Sequence, residues 1–459
     1  MQDLTTGSLT RHLLKTTSFM LVAMVFQTLY FLVDLYWVGS LGKEAVAGVG
    51  VSGNLTFIVL AVSQMLGVGA TTLISHATGR SDRDQARLVF TQGQVLSIVV
   101  GAIFTAVSMA LRLPYANGLT ADEATAREAA AYLLWFLPAM GLQFPMAVMG
   151  AALRGTGNFK PGMIVQTATV VINMVVAPIL IFGWGTGHPM GVAGAAVATL
   201  LAVIIATVWF GTYFMPKDSF LRFEPALWRP RFDLWRRMLS IGLPAGGEFA
   251  LMAVYLFIVY AITRPFGAAA QAGFGIGMRI IQAGFMPVVA LAFAVAPVAG
   301  QNFGARKPDR VKNTFKIAMT MSVSAMLLLA LLCHIAPAAM VRIFSHDPEV
   351  VAIGDEYLRI VSWNFVASAI AFVGSSMFQS MGNTLPPLAA SFLRLLIIAI
   401  PGFMMARMPG FELRWLWYLS VAAVTIQALL NLWLLRREFR IRLTPMIAAA
   451  TPAAAVSPG

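Results

Sequence analysis

Apolar residues in this chain run in long, nearly unbroken stretches instead of alternating with polar ones. Twelve stretches stand out, at about 13–38, 46–76, 88–111, 129–153, 161–183, 191–214, 238–263, 270–301, 313–336, 355–380, 387–406 and 413–435. Each reaches the roughly 20 residues that an α-helix needs to cross the hydrocarbon core of a bilayer. Helices satisfy their own backbone groups where no water is present, so apolar runs of this length predict helices. The longest polar connection, Pro216–Arg237, separates two sets of six. The pattern therefore predicts an all-α polytopic membrane protein with twelve transmembrane helices in two six-helix lobes. The N-lobe is expected over 1–215, a cytoplasmic inter-lobe loop over 216–237 and the C-lobe over 238–440. The remainder, 441–459, is Ala/Pro-rich from Thr444 and is expected to be a disordered tail.

The two halves repeat. A constant offset of 225 residues, without gaps, pairs Gly42 with Gly267, Gly48 with Gly273, Gly79 with Gly304 and Asp84 with Asp309. It also pairs Asp122 with Asp347, Tyr132 with Tyr357, Gly157 with Gly382, Asn158 with Asn383 and Pro161 with Pro386. Apolar matches arise easily by chance in such a chain, but glycine, aspartate, asparagine and proline at one offset do not. Six spans per half is an even number, so both halves enter the membrane in the same sense. A parallel repeat of this kind commonly places a transport site near the midplane, between the halves.

Composition agrees with a membrane protein: 59% of residues are hydrophobic and 11% are charged, against about 25% charged in soluble domains. The formal charge of +13 is read as basic loops near anionic lipid, not as a nucleic-acid surface. With the N-terminus inside, the inside segments hold 22 Lys and Arg and the outside segments 8. That bias puts both termini in the cytoplasm. The first residues lack a short apolar region followed by a small-residue cleavage site, so no removable signal peptide is expected. The single cysteine, Cys333, excludes an internal disulfide and a cysteine metal cluster. The five histidines show no metal-ligand spacing. No Walker motif is present, which argues against ATP as the energy source. GVGVSG at Gly48–Gly53 has the spacing of a dinucleotide loop but lies in a span with no preceding strand, and is read as close helix packing.

Two acidic residues fall inside spans, Asp34 in the first and Glu248 in the seventh. An intramembrane carboxylate is costly and by default marks a functional site. It persists by facing a wet cavity, holding a proton or holding a cation. Tyr30 lies one helical turn before Asp34. Glu248 follows Pro244 by four residues, so it can alternatively bond backbone groups that the proline frees. Arg279 and Arg394 are the basic counterparts: Arg279 lies deeper, whereas Arg394 lies near a span end, where its charge is expected to snorkel toward headgroups. Amides recur in the spans, among them Gln64, Asn173, Gln282, Gln427 and Asn431, and each singly is read as helix–helix glue.

These residues together resemble the multidrug and toxic compound extrusion family, over about residues 8–440. The resemblance is carried by FLVDLYWVGSLG ending span one, ATGRSDRDQAR after span two, ALRGTGNFKP after span four and INMVVAPILIFG in span five. GVAGAAVAT in span six, IGLPAGGEFALM in span seven and FQSMGNTLPP after span ten add to it. It is nearest to the branch resembling DNA-damage-inducible protein F. It implies two six-helix lobes around a cavity and antiport of small organic, often cationic compounds against H⁺ or Na⁺. It implies no enzyme activity, no cofactor beyond the coupling ion, membrane lipids as surroundings, a monomer and the bacterial inner membrane. Carried over residue by residue, Asp34, Tyr30 and Asn173 match coupling positions of the N-lobe, with Thr199 beside them. Glu248 stands in for an acid of the seventh helix. Thr199, Arg279, Gln282 and Gln64 are expected along the substrate cavity. Many members of that branch have an aspartate before the fifth-helix proline, where this chain has Ala177, and span ten has no central acid. A proton is therefore expected over Na⁺, which needs several oxygen ligands. A lipid or lipid-linked oligosaccharide flippase is the alternative that Arg279 and Arg394 would serve.

Overall fold

The computed structural model describes residues 2–450 apart from Ala121, Thr186 and Lys217; residues 451–459 of the expected tail lie outside the described residues. Lys217, one of the basic residues counted above, is likewise outside them. The described regular structure is helical, without strands. The first half comprises α1 (Leu9–Gly39), α2 (Lys43–Gly50), α3 (Gly53–Gly79), α4 (Arg83–Ala110), α5 (Arg112–Leu119), α6 (Glu123–Gly155), α7 (Lys160–Phe182) and α8 (Gly191–Thr212). The second comprises α9 (Phe232–Thr263), α10 (Gly267–Gly304), α11 (Pro308–Ile335), α12 (Pro337–Arg342), α13 (Pro348–Val361), α14 (Asn364–Met381), α15 (Leu385–Met405) and α16 (Leu413–Ala450).

Ten stretches among the described residues are long and apolar enough to span a bilayer, and α13 with α14, bent by 57°, form a further candidate. One of the ten, Phe232–Gly304, runs to 73 residues and contains both α9 and α10. At about 1.5 Å per residue it is far too long for one crossing of a core about 30 Å thick. Counted as two, it brings the total to the twelve crossings expected. Two of these are interrupted in ways the apolar pattern conceals. Span two breaks at Val51–Ser52 between α2 and α3, and span ten breaks at Ser362–Trp363.

The repeat survives in the element boundaries. Shifted by 225 residues, α4 coincides with α11 at both ends, and α2 with α3 together cover the range of α10 except its first residue. The turns match as well. Only Ser81 and Arg306 among the described non-glycine residues have positive φ, at 58° and 55°, and they are repeat mates. Each closes its preceding helix with the same pair of backbone bonds, Asp82 N–H to Ala77 O and Lys307 N–H to Asn302 O, both 2.9 Å.

The chain forms two compact units, unit 1 built from Ser18–Gly246 and unit 2 from Leu4–Thr17 with the chain from Gly247 onward. The division falls inside α1 and inside α9, which differs from the limits 1–215 and 238–440 drawn at the polar loop. Side-chain clamps account for it. Gln92 on α4, with no exposed surface, donates to the carbonyls of Leu227 (2.6 Å) and Arg229 (2.8 Å) just before α9. Its oxygen accepts from the Arg231 N–H (2.9 Å) and the Trp235 indole (3.0 Å). In unit 2, Arg310 of α11 donates to the carbonyls of Gly7 (3.0 Å), Leu4 and Thr6 (both 3.2 Å) just before α1. Gln301 accepts from the Leu4 N–H at 3.0 Å. Equivalent helices of the two halves thus hold equivalent lead-in segments.

Inside unit 1, α7 and α8 meet through small residues. Ala195, Ala196 and Ala198 are fully buried, and a Cβ on Gly194 would lie 2.7 Å from the Leu180 backbone. Without a hydrophobic drive between helices in lipid, such close approach is what holds them. The expected disorder of 441–459 is corrected for its first part: α16 continues as helix to Ala450. Leu443 is fully buried in a core cluster of unit 2. Arg442 pairs with Glu438 at 2.5 Å and donates to Met381 O at 2.8 Å.

Candidate functional site

Unit 1 holds a polar cluster at the far half of α1. Tyr30, Asp34 and Trp37 recur at i, i+4 and i+7, so they share one face of that helix. Apolar residues on the other faces, Leu32 and Leu35 among them, are exposed, as in a helix bathed by lipid or cavity. Asn173 of α7 and Thr199 of α8 are both buried. The Thr199 hydroxyl donates to Ala195 O one turn back (3.1 Å). With its one proton so used, it accepts from Asn173 Nδ2 (3.2 Å) and from the Tyr30 hydroxyl (3.0 Å). Thr199 is therefore saturated, and it ties α1 to α7 and α8.

Asp34 is half-buried, and its Oδ1 is fully buried without a hydrogen-bond partner. Tyr132 of α6, itself buried, lies within electrostatic reach of Asp34 and Tyr30. A buried carboxylate oxygen without a donor is costly to keep charged. Uptake of a proton or a metal cation removes that cost. Beyond Asp34, Trp37 packs edge-on against Phe182 and Trp184, each at 6.0 Å between ring centroids, which fixes the end of α1 beside the end of α7. Ala177, just before Pro178 on α7, is fully buried in the unit 1 core.

Unit 2 holds a second cluster, around Glu248 of α9. Ser375 of α14 donates to Glu248 Oε2 at 2.6 Å, and Ser391 of α15 donates to Oε1 at 3.2 Å. Gln427 of α16 donates through Nε2 to the Ser391 hydroxyl at 2.9 Å. Its oxygen accepts from the Arg394 guanidinium at 3.3 Å. Arg394 also lies over the Tyr255 ring, 5.2 Å from its centroid. The snorkelling expected for Arg394 is thereby corrected: side chains of α9 and α16 hold it inward. Glu248 is bonded to side chains and not to backbone freed by Pro244.

The structure thus joins Tyr30, Asn173 and Thr199 directly, with Asp34 on the same face of α1, and gives Glu248 a cluster of its own in unit 2. It does not join the remaining candidates to either. Gln64 is half-buried on α3, and Arg279 and Gln282 are exposed on α10, about one turn apart. No hydrogen bond among the described residues links these three to Asp34 or Glu248. Sequence reasoning missed Ser375, Ser391 and Tyr132. A usable signal was present for the α15 and α16 groups, since Ser391 with Arg394 and Gln427 with Asn431 each share a helix face.

Two units of apolar helices long enough to span a bilayer, each with an acid among polar side chains inside one of those helices, define a polytopic protein of the membrane-transporter class. The MatE family model matches residues 20–179 and 244–404, one match in each half, and the chain belongs to that family. It is accordingly a multi-pass membrane transporter and not an enzyme. A Thermotoga maritima protein described as a probable multidrug resistance protein, NorM, is 27% identical over 413 residues, covering 89% of this chain and 88% of that one. The multidrug export protein MepA of Staphylococcus haemolyticus is 25% identical, covering 79% and 80%. Among solved structures, a MATE protein in its bent conformation superposes with a TM-score of 0.90 at 22% identity, covering 97% of this chain and 98% of that one.

Proposed function

We propose that this protein is a secondary antiporter that exports small organic, often cationic compounds in exchange for protons. Its place is the inner membrane of a bacterium, as a monomer in lipid with both termini cytoplasmic, in keeping with the Lys and Arg bias. Two relatives described as multidrug resistance or export proteins support the class of cargo. The observation that carries the coupling is the buried, unpartnered Oδ1 of Asp34, on the same face of α1 as Tyr30, whose hydroxyl meets Thr199 and through it Asn173.

In this reading a proton arriving from outside neutralises Asp34 and shifts α1 relative to Thr199 and Asn173, and cargo binding is weakened. Linkage makes the effect mutual: cargo weakens proton binding by the same factor. Glu248 is a second proton-binding group. Protons are favoured over Na⁺ because, among the described residues, Asp34 is the one acid of this cluster. No group of three or more His, Cys, Asp or Glu that could hold a metal ion occurs among the described residues. The flippase alternative drew on Arg279 and Arg394, and Arg394 is engaged by Gln427 and Tyr255.

The test is dye efflux in everted vesicles with pH and Na⁺ gradients imposed separately. Wild type is expected to respond to the pH gradient, and Asp34→Asn to lose that response. Gradient-driven efflux by Asp34→Asn at the wild-type rate rejects the assignment.

A further inference from the structure

The Glu248 cluster contains its own cation. From Glu248 Oε1 a continuous chain of donors runs through the Ser391 hydroxyl and the Gln427 amide to the Arg394 guanidinium. The carboxylate and the guanidinium are not in direct contact, yet they interact as charges. Arg394 Nε is buried and has no acceptor, so the guanidinium retains an unused donor. Among the described contacts, the titratable and charged groups facing this site are Arg394 from α15 and Tyr255 from α9. The other elements, α14 and α16, present the neutral groups Ser375 and Gln427.

This donor set is wrong for a sodium ion. Na⁺ in transporters is held by several oxygens, often carbonyls of unwound helix. Here α9 is helical through Glu248, and the Gln427 oxygen is already engaged by Arg394. Both serine hydroxyls direct their protons at the carboxylate. A guanidinium, charged at any physiological pH, would in addition repel a metal ion entering beside it. A proton needs no such ligand shell.

We propose that Arg394 is a specificity-determining residue: as the resident cation of the Glu248 site, it excludes Na⁺ and leaves the proton as the only ion that site exchanges. This rests on the reading of the protein as an ion-coupled exporter, but it is tested without transport. Equilibrium binding of ²²Na⁺ to purified protein at mildly alkaline pH is measured for wild type, Glu248→Gln, Arg394→Met, Arg394→Lys and the double variant Arg394→Met/Glu248→Gln. Wild type is expected to bind no more Na⁺ than Glu248→Gln. Arg394→Met is expected to gain Na⁺ affinity by tenfold or more, and the double variant to lose that gain. Arg394→Lys, which keeps the charge, is expected to stay Na⁺-blind.

Na⁺ binding by wild type that Glu248→Gln removes overturns the proposal, as does a folded Arg394→Met that gains none. Should Arg394→Met fail to fold, the comparison of wild type with Glu248→Gln decides alone. Loss of pH-driven efflux in wild type would reject the transport reading while leaving the Na⁺ result standing.

Discussion

Thr199 shows how much one hydroxyl does in this protein. It is the common acceptor for Asn173 and Tyr30, and its replacement by the isosteric valine leaves buried Asn173 Nδ2 without that acceptor. An orphaned buried donor costs about 1–3 kcal/mol, so Thr199→Val is expected to unfold at lower temperature in detergent by that equivalent, whereas Thr199→Ser keeps most of the stability. Asp122 makes a residue-scale prediction in acid. It caps α6 from outside the spans, and the Thr125 backbone N–H (2.8 Å), followed by its hydroxyl (2.9 Å), holds the carboxyl below the usual aspartate range. A lowered folded value means that the stabilisation is complete above the unfolded aspartate value of about 3.9. It is lost as pH falls through the folded one. The stability gap between wild type and Asp122→Ala is therefore expected to be full at pH 7 and to close as a series of melts descends below pH 4. Asp34 and Glu248 were legible in the sequence because a charge inside an apolar run is rare and costly. Arg394 was misread because depth along a span says nothing about which neighbours reach it, and those neighbours lie 33 or more residues away in the chain, on α9 and α16.

Helices and their joints follow the repeat more closely than the side chains do. Gly157 and Gly382, repeat mates with φ of 78° and 75°, end α6 and α14 in a conformation that costs other L-residues about 1–2 kcal/mol. Alanine at either is expected to destabilise by that amount in denaturant or thermal unfolding, with similar losses at the two sites. The clamps are a second element-scale feature. Gln92→Ala removes four hydrogen bonds from a fully buried amide and is expected to cost at least about 2 kcal/mol. Limited proteolysis should then cut the segment around Leu227–Arg231 faster than in wild type. The lengths of the spans could be read from apolar runs alone, but the breaks in spans two and ten could not. At Ser362–Trp363 the run IVSWNFVASAI continues without proline or glycine, so hydropathy carries no mark of the 57° bend. The continuation of α16 past Thr444 was hidden for the opposite reason. Its Ala/Pro-rich sequence looks like a tail until Leu443 and Arg442 find partners in unit 2.

For the whole molecule, the two halves share element order and turn geometry but carry different acids among different neighbours. Unit 1 has Asp34, whose Oδ1 lacks a donor, and unit 2 has Glu248 linked through two side chains to an arginine. The family, the span count and the repeat were all visible in the sequence, because they rest on runs, spacings and glycine positions that the chain states directly. The membership of Leu4–Thr17 in unit 2 was not visible, because it depends on Arg310 and Gln301 reaching back about 300 residues along the chain. In the proposed exchange, Asp34 cannot hold its proton while cargo is bound. The most direct test of that exchange is proton release by purified protein in weakly buffered detergent on addition of a cationic dye, followed with a pH indicator. Wild type is expected to release protons in proportion to dye bound, and Asp34→Asn to bind dye with that release largely gone. Equal release from Asp34→Asn, or dye binding by wild type with no release, would contradict the exchange described here.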